Sequence, residues 1–132
     1  MSEDKITIQI KDTAGKVLFT HTCEYNTVGA TVSYAVSHGV ALPKANLANA
    51  NLQGLNLMRL NANGATFENA LMNGTSIQSG SVKDANFINT DMRHTNISNA
   101  DITGSYTAKT GNVLTYLLDR PVDLIRFAGM IY

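Results

Sequence analysis

The chain has one cysteine, two prolines and no tryptophan among its 132 residues. The lone Cys23 excludes an internal disulfide and leaves no cysteine cluster for a metal. A single thiol suits a reducing compartment, so a cytoplasmic location is expected. Charge of one sign is missing too: ten basic residues balance ten acidic ones. The bulk field therefore favours neither nucleic acid nor an anionic membrane. Only 15% of residues are charged, against about 25% in ordinary soluble domains; Asn, Thr, Ser and Gly supply the polarity instead. The most apolar tract, 113–131, is broken by Asp119, Arg120, Pro121, Asp123 and Arg126, which a membrane span would not carry. The stretch Met1-Ser2-Glu3-Asp4-Lys5 lacks the apolar core of a secretory signal.

What is present is a repeat. Every fifth residue from 42 is apolar: Leu42, Leu47, Leu52, Leu57, Ala62, Phe67, Met72, Ile77, Val82, Phe87, Met92, Ile97 and Ile102. The residue two places earlier is usually small, and the one between is usually Asn, Asp, Ser or Thr, as in Ala45-Asn46-Leu47 and Ala85-Asn86-Phe87. A period of five fits neither a 3.6-residue helix nor a two-residue strand. It predicts a square coil, with one large residue per side pointing inward and a small one at each corner.

This pattern resembles the pentapeptide-repeat family, over residues 40–106. The resemblance implies an all-β fold, a right-handed quadrilateral β-helix with four units per coil and about three coils here. Four units per coil stack residue n on n+20, and the columns agree: Phe67 on Phe87, Met72 on Met92, Ile77 on Ile97, and Asn49, Asn69 and Asn89 in line. The Asn column predicts an amide ladder on one corner. Leu55 and Leu60 are oversized for their corners and Ala62 is small for the core; Leu60 and Ala62, in one unit, offset each other, whereas Leu55 has no such partner.

A single domain is expected over 1–132, with 1–39 as an N-terminal hairpin and helix cap, 40–106 as the repeat, and 107–132 as an apolar C-terminal cap or dimerisation segment. Ile6, Ile8 and Ile10 alternate as a half-buried strand does, Asp12 to Gly15 reads as a turn, and 17–23 as the returning strand. Thr27 can cap a helix running to about His38, with Val28, Val32, Ala35 and Val36 on its inner face and Gly39 just past its end. Such an N-terminal end is similar to that of some small bacterial and phage-encoded members of the family. Residues 113–119 read as either a short helix or an irregular coil. Phe127, Met130, Ile131 and Tyr132 crowd the last six residues, which predicts a homodimer through this segment.

No catalytic, cofactor-binding or metal-binding set is found. His21, His38 and His94 fall in different elements, where zinc needs three or four converging ligands. Cys23 reads as buried and inert, and no nucleophile motif surrounds any Ser or Thr. Asp84, Asp91 and Asp101 read as solvated surface. Among outward slots, Met58, Leu71 and Ile88 are apolar where the pattern expects polar residues; with Arg93 and His94 they form the candidate partner-binding surface. The function expected is a non-catalytic module that docks an unidentified partner protein, with no cofactor, nucleic acid or membrane. A phage accessory protein acting on a host factor fits that reading. The resemblance implies an alternative: some pentapeptide-repeat proteins mimic DNA and bind topoisomerases such as gyrase. Those mimics have a strongly acidic face, whereas here Lys44, Arg59, Lys83 and Arg93 cancel Glu68, Asp84, Asp91 and Asp101. An enzyme is the least favoured reading.

Overall fold

The computed structural model describes residues 4–107. It begins with an antiparallel hairpin, β1 (Lys5–Lys11) and β2 (Val17–Glu24), followed by α1 (Val28–Ser37). The hairpin turn is held by Asp12, whose Oδ1 accepts from the amides of Ala14 and Lys16, with Gly15 at φ 91°. Thr27 caps α1 by accepting from the Ala30 amide at 3.0 Å. Buried Asn26 ties the two elements together: its Nδ2 donates to the carbonyls of Ile6 and His21, and its Oδ1 accepts from the Thr31 hydroxyl.

From Leu42 onward the fold is β-helix-like. Single residues pair in parallel at twenty-residue intervals along four ladders: Asn46–Thr66–Asn86–Tyr106, Asn51–Leu71–Asp91, Asn56–Ser76–Asn96 and Asn61–Ser81–Asp101. The paired residue is the polar one before each core position. Strand pairing goes no further because a turn follows at once. In the unit around Leu47, the Ala50 amide donates back to the Leu47 carbonyl and Asn49 has φ 65°, the signature of a type II turn.

Most amides of a unit have a set destination, which explains the repeat residue by residue. The amides of Leu47 and Asn49 donate to the next coil, at Thr66 and Glu68; the Thr66 amide donates down to Ala45; the Ala50 amide closes the turn. In most units the fifth amide, just after the core residue, is taken by the polar side chain two places before it; the Lys83 amide instead donates to Asn63 Oδ1 one coil away. Asn46 serves Ala48, Asn51 serves Gln53, Asn56 serves Met58, and Asn86, Asn96 and Asp101 repeat the pattern. The polar slot is therefore a local cap on the turn. Where the slot holds Ala41, the residue two places on is Pro43, which has no amide to satisfy.

The inward positions Leu42 to Ile97 form one continuous core. The rings of Phe67 and Phe87 stack with centroids 4.8 Å apart and planes within 3°. At the small corners, Thr75, Thr90 and Thr95 turn their hydroxyls to the carbonyls of Leu52, Phe67 and Met72 in the coil below, so these polar side chains are buried at no loss of hydrogen bonding. Gly80 is required by space: a Cβ there would lie 2.7 Å from the Leu60 carbonyl oxygen, with Leu60 filling the corner beneath.

The hairpin and helix sit against the first coil. The Asn46 amide donates to Lys11, the Thr13 amide to Lys44, and Asp12 bridges Ala45. A Cβ on Gly29 would fall 2.9 Å from the Asn51 carbonyl oxygen and 3.3 Å from Cδ1 of Leu55. Leu55 thus has a partner after all: it belongs to the first coil, where α1 rather than another coil lies against its corner. The buried face of α1 is Gly29, Thr31, Val32 and Ala35, with Val36 partly covered. Val28, expected inside, is 38% exposed, because it occupies the first helical position and stands clear of the coil. Cys23 is half-exposed rather than buried, since β2 runs outward from the coil toward its end. The Asn column also differs from expectation. No hydrogen bond links the side chains of Asn49, Asn69 and Asn89; each holds φ between 57° and 65°, and Asn recurs there because it tolerates left-handed backbone.

Candidate binding surface

The five outward candidates do not form one patch. Leu71 stands in the Asn51–Leu71–Asp91 ladder, and Arg93 follows the core residue Met92 on the same side of the coil. His94 takes the next corner, with φ 59°. Met58 lies on the side carrying the Asn56–Ser76–Asn96 ladder, and Ile88 on the side carrying Asn46, Thr66 and Asn86. Leu71 and Met58 are about two-fifths exposed, at 41% and 39%, while Ile88 is half-buried. Phe127, Met130, Ile131 and Tyr132 lie outside the described residues.

Leu71 breaks the turn rule. An apolar side chain cannot cap the Asn73 amide, and no other acceptor among the described residues reaches it. Above Leu71, Arg93 grips Asp91 with both oxygens, Nε to Oδ1 at 2.9 Å and Nη2 to Oδ2 at 2.7 Å. The guanidinium is well solvated, so this pair adds at most about 1 kcal/mol. Its effect is to hold the Arg93 side chain against Asp91, the ladder neighbour of Leu71.

Between the C-terminal end of α1 and the first coil runs an open groove of about 340 Å³, lined by Val36, Ser37, Gly39, Asn56, Met58 and Arg59. Met58 therefore faces helix residues rather than Leu71. Arg59 occupies a left-handed corner at φ 68°, where other units mostly place Asn or Gly. The sequence signal for it was that mismatch in the fifth slot, not any motif.

On β2 and α1, Tyr34 is sandwiched between two imidazoles, His21 at 3.9 Å and His38 at 4.0 Å between centroids. The phenol ring keeps the two histidines from converging, so they offer no shared metal position. No group of three or more potential metal ligands occurs among the described residues. Asp101 has its carboxyl held below the ordinary value of 3.8, first by the Thr103 hydroxyl at 2.6 Å and then by the Thr103 amide; desolvation opposes them and Lys83 adds least. No helix among the described residues is long and apolar enough to cross a membrane.

Comparison with known proteins agrees with this architecture. The family model for pentapeptide repeats matches in eight copies over residues 42–78 and 78–106. No curated protein matches the chain. Among solved structures, a pentapeptide repeat protein (Rfr23) from the cyanobacterium Cyanothece 51142 is similar at 22% identity and a TM-score of 0.46. The match covers 55% of this chain and 46% of that one, so this chain spans less than half of its length. The five-residue units, their left-handed corners and the matched family model lead to one assignment: through residues 42–106, the chain belongs to the pentapeptide-repeat family.

Proposed function

We propose that this chain is a non-catalytic protein-binding module, a rigid coil that docks a partner protein on its outer sides. The observation that carries the reading is Leu71. It forgoes a turn hydrogen bond and exposes an apolar side chain, in a fold where most slots at this position hold a polar side chain that caps its own turn. A local rule broken without structural gain points to function. The rigid coil supports this reading, because little conformational freedom is lost when a partner docks. Membership of the pentapeptide-repeat family supports a non-enzymatic role. We take the coil to be right-handed and four-sided, the protein to act in the cytoplasm, and residues 107–132 to cap the far end or to join two copies.

The test is affinity purification from the native host, with wild type beside Leu71→Asn. Asn restores the missing cap, so the variant is expected to fold at least as stably and to lose the co-purifying protein. Unchanged recovery with Leu71→Asn removes Leu71 from the interface. The same preparations test the DNA-mimic alternative. With Lys44, Arg59, Lys83 and Arg93 balancing the acidic residues of the coils, no strong inhibition of gyrase supercoiling is expected at low micromolar protein. Potent inhibition would favour the mimic.

A further inference from the structure

The groove beside α1 combines features that the coil itself does not require. Met58 and Arg59, consecutive in one unit, each depart from the repeat. Met58 places a flexible thioether where the same column holds Gln78 and Ser98, and it stays 39% exposed. Arg59 places a long side chain at a left-handed corner where the same column holds Ser79 and Asn99. A Cβ makes that conformation costly, and a guanidinium does nothing to offset it.

The electrostatics of the groove are one-sided. Among the described residues Arg59 makes no ion pair and no side-chain hydrogen bond, and none of the lining residues is acidic. Asn56 spends its Oδ1 on the Met58 amide, which leaves its Nδ2 as a donor. Three of the last four carbonyls of α1 are already taken: Tyr34 and Ala35 accept from His38, Ala35 from Val40, and Val36 from Gly39. The Ser37 hydroxyl is turned to Tyr34 and His38. The groove thus offers the donors of Asn56 and Arg59 from the coil, with Met58 beside them and Val36 facing them from α1. Gly39 leaves it open, since a Cβ there would meet nothing within 4 Å.

Resting on the binding-module reading above, we propose that this groove is a peptide-docking site for a partner protein, taking a segment that presents a carboxylate beside a large apolar side chain. The carboxylate pairs with the Arg59 guanidinium, which matches its geometry with two parallel N–H donors, and Asn56 adds a third. The neighbouring apolar side chain packs on Met58 and Val36, where an adaptable thioether fits several shapes.

The probes are two capped tetrapeptides, acetyl-Ala-Leu-Asp-Ala-amide and its Asn counterpart, titrated to low millimolar concentration into the full-length ¹⁵N-labelled chain. The Asp peptide is expected to shift the amides of Val36, Ser37, Met58 and Arg59, with the Asn peptide at least about ten-fold weaker. Arg59→Asn keeps a left-handed corner, so its melting temperature should not fall, and it should bind both peptides equally. Met58→Gln, copying Gln78 of the same column, should weaken both. No shifts at these amides, or equal binding of the two peptides to the wild type, overturns the proposal. Groove shifts that appear on removing residues 127–132, or on diluting the free protein, overturn it as well, by assigning the groove to the chain's own segment or to a second copy. Capture of a partner that depends on Leu71 but not on Arg59 would leave the binding-module reading standing and discard the groove.

Discussion

A left-handed residue closes every unit from Lys44 to Gly104, and its conformational cost falls on side chains with a Cβ. Asn69 meets that cost through its short polar side chain. Replacing Asn69 by Gly is therefore expected to leave stability within about 0.5 kcal/mol, and by Val to lower it by about 1–2 kcal/mol, measured by urea denaturation. A loss with Gly as large as with Val would restore the amide ladder. The polar slots lend themselves to a titration test. The Asp101 carboxyl titrates lower in the folded chain than in the unfolded one, because the Thr103 hydroxyl and amide hydrogen-bond its charged form. The stability this contributes is full above pH 3.8 and is lost as pH falls through the lowered value. Thr103→Ala should move the NMR titration of Asp101 up toward 3.8; an unmoved midpoint would remove the hydroxyl as the cause. The inward, small and polar positions were legible in the sequence at this scale. The left-handed corner was legible only in part: Asn and Gly favour it, but Lys44, Arg59, Ser79 and His94 hold the same backbone angle and blur the column.

Between elements, Gly29 marks a contact that only close approach allows. Gly29→Ala should favour an isolated helix by up to about 1 kcal/mol. In this fold it should instead destabilise by about 1–3 kcal/mol, since its Cβ would press on the Asn51 carbonyl 2.9 Å away. Thermal unfolding decides the sign, and a stabilised variant would mean that α1 does not rest on the coil as described. The inward and outward assignment has a parallel test. Phe87→Asp should unfold the coil, because a carboxylate would replace a ring stacked on Phe67 and find no partner. Asn73→Asp, on the outside, should change stability by no more than about 0.5 kcal/mol. Circular dichroism under the two substitutions separates them, and equal effects would refute the assignment. The hairpin and helix were readable at this level from alternation and from the Thr27 cap. Their packing was not: Val28 stands exposed and Gly29 buried, because the position of α1 over the first coil, not its apolar pattern, chose the face.

At the scale of the whole molecule, assembly is the open expectation. A homodimer through Phe127, Met130, Ile131 and Tyr132 would bury the end of a short coil, which has little core for its surface. Light scattering coupled to size exclusion is expected to return a dimer that becomes a folded monomer when residues 127–132 are removed. A full-length monomer at tens of micromolar would leave that segment as a cap. Within residues 42–106 the sequence by itself determined the repeat, the twenty-residue stacking and the identity of the core, because each coil touches its neighbours at one constant offset and a column of residues can be compared by counting. The tertiary structure alone decided how the hairpin and α1 meet the first coil, which side of α1 is covered, why Leu55 is large, and that Met58 and Arg59 face a groove beside Val36. Those contacts join segments of different period across no fixed separation, so no spacing in the chain encodes them, and they exist only once the hairpin, helix and coil have packed.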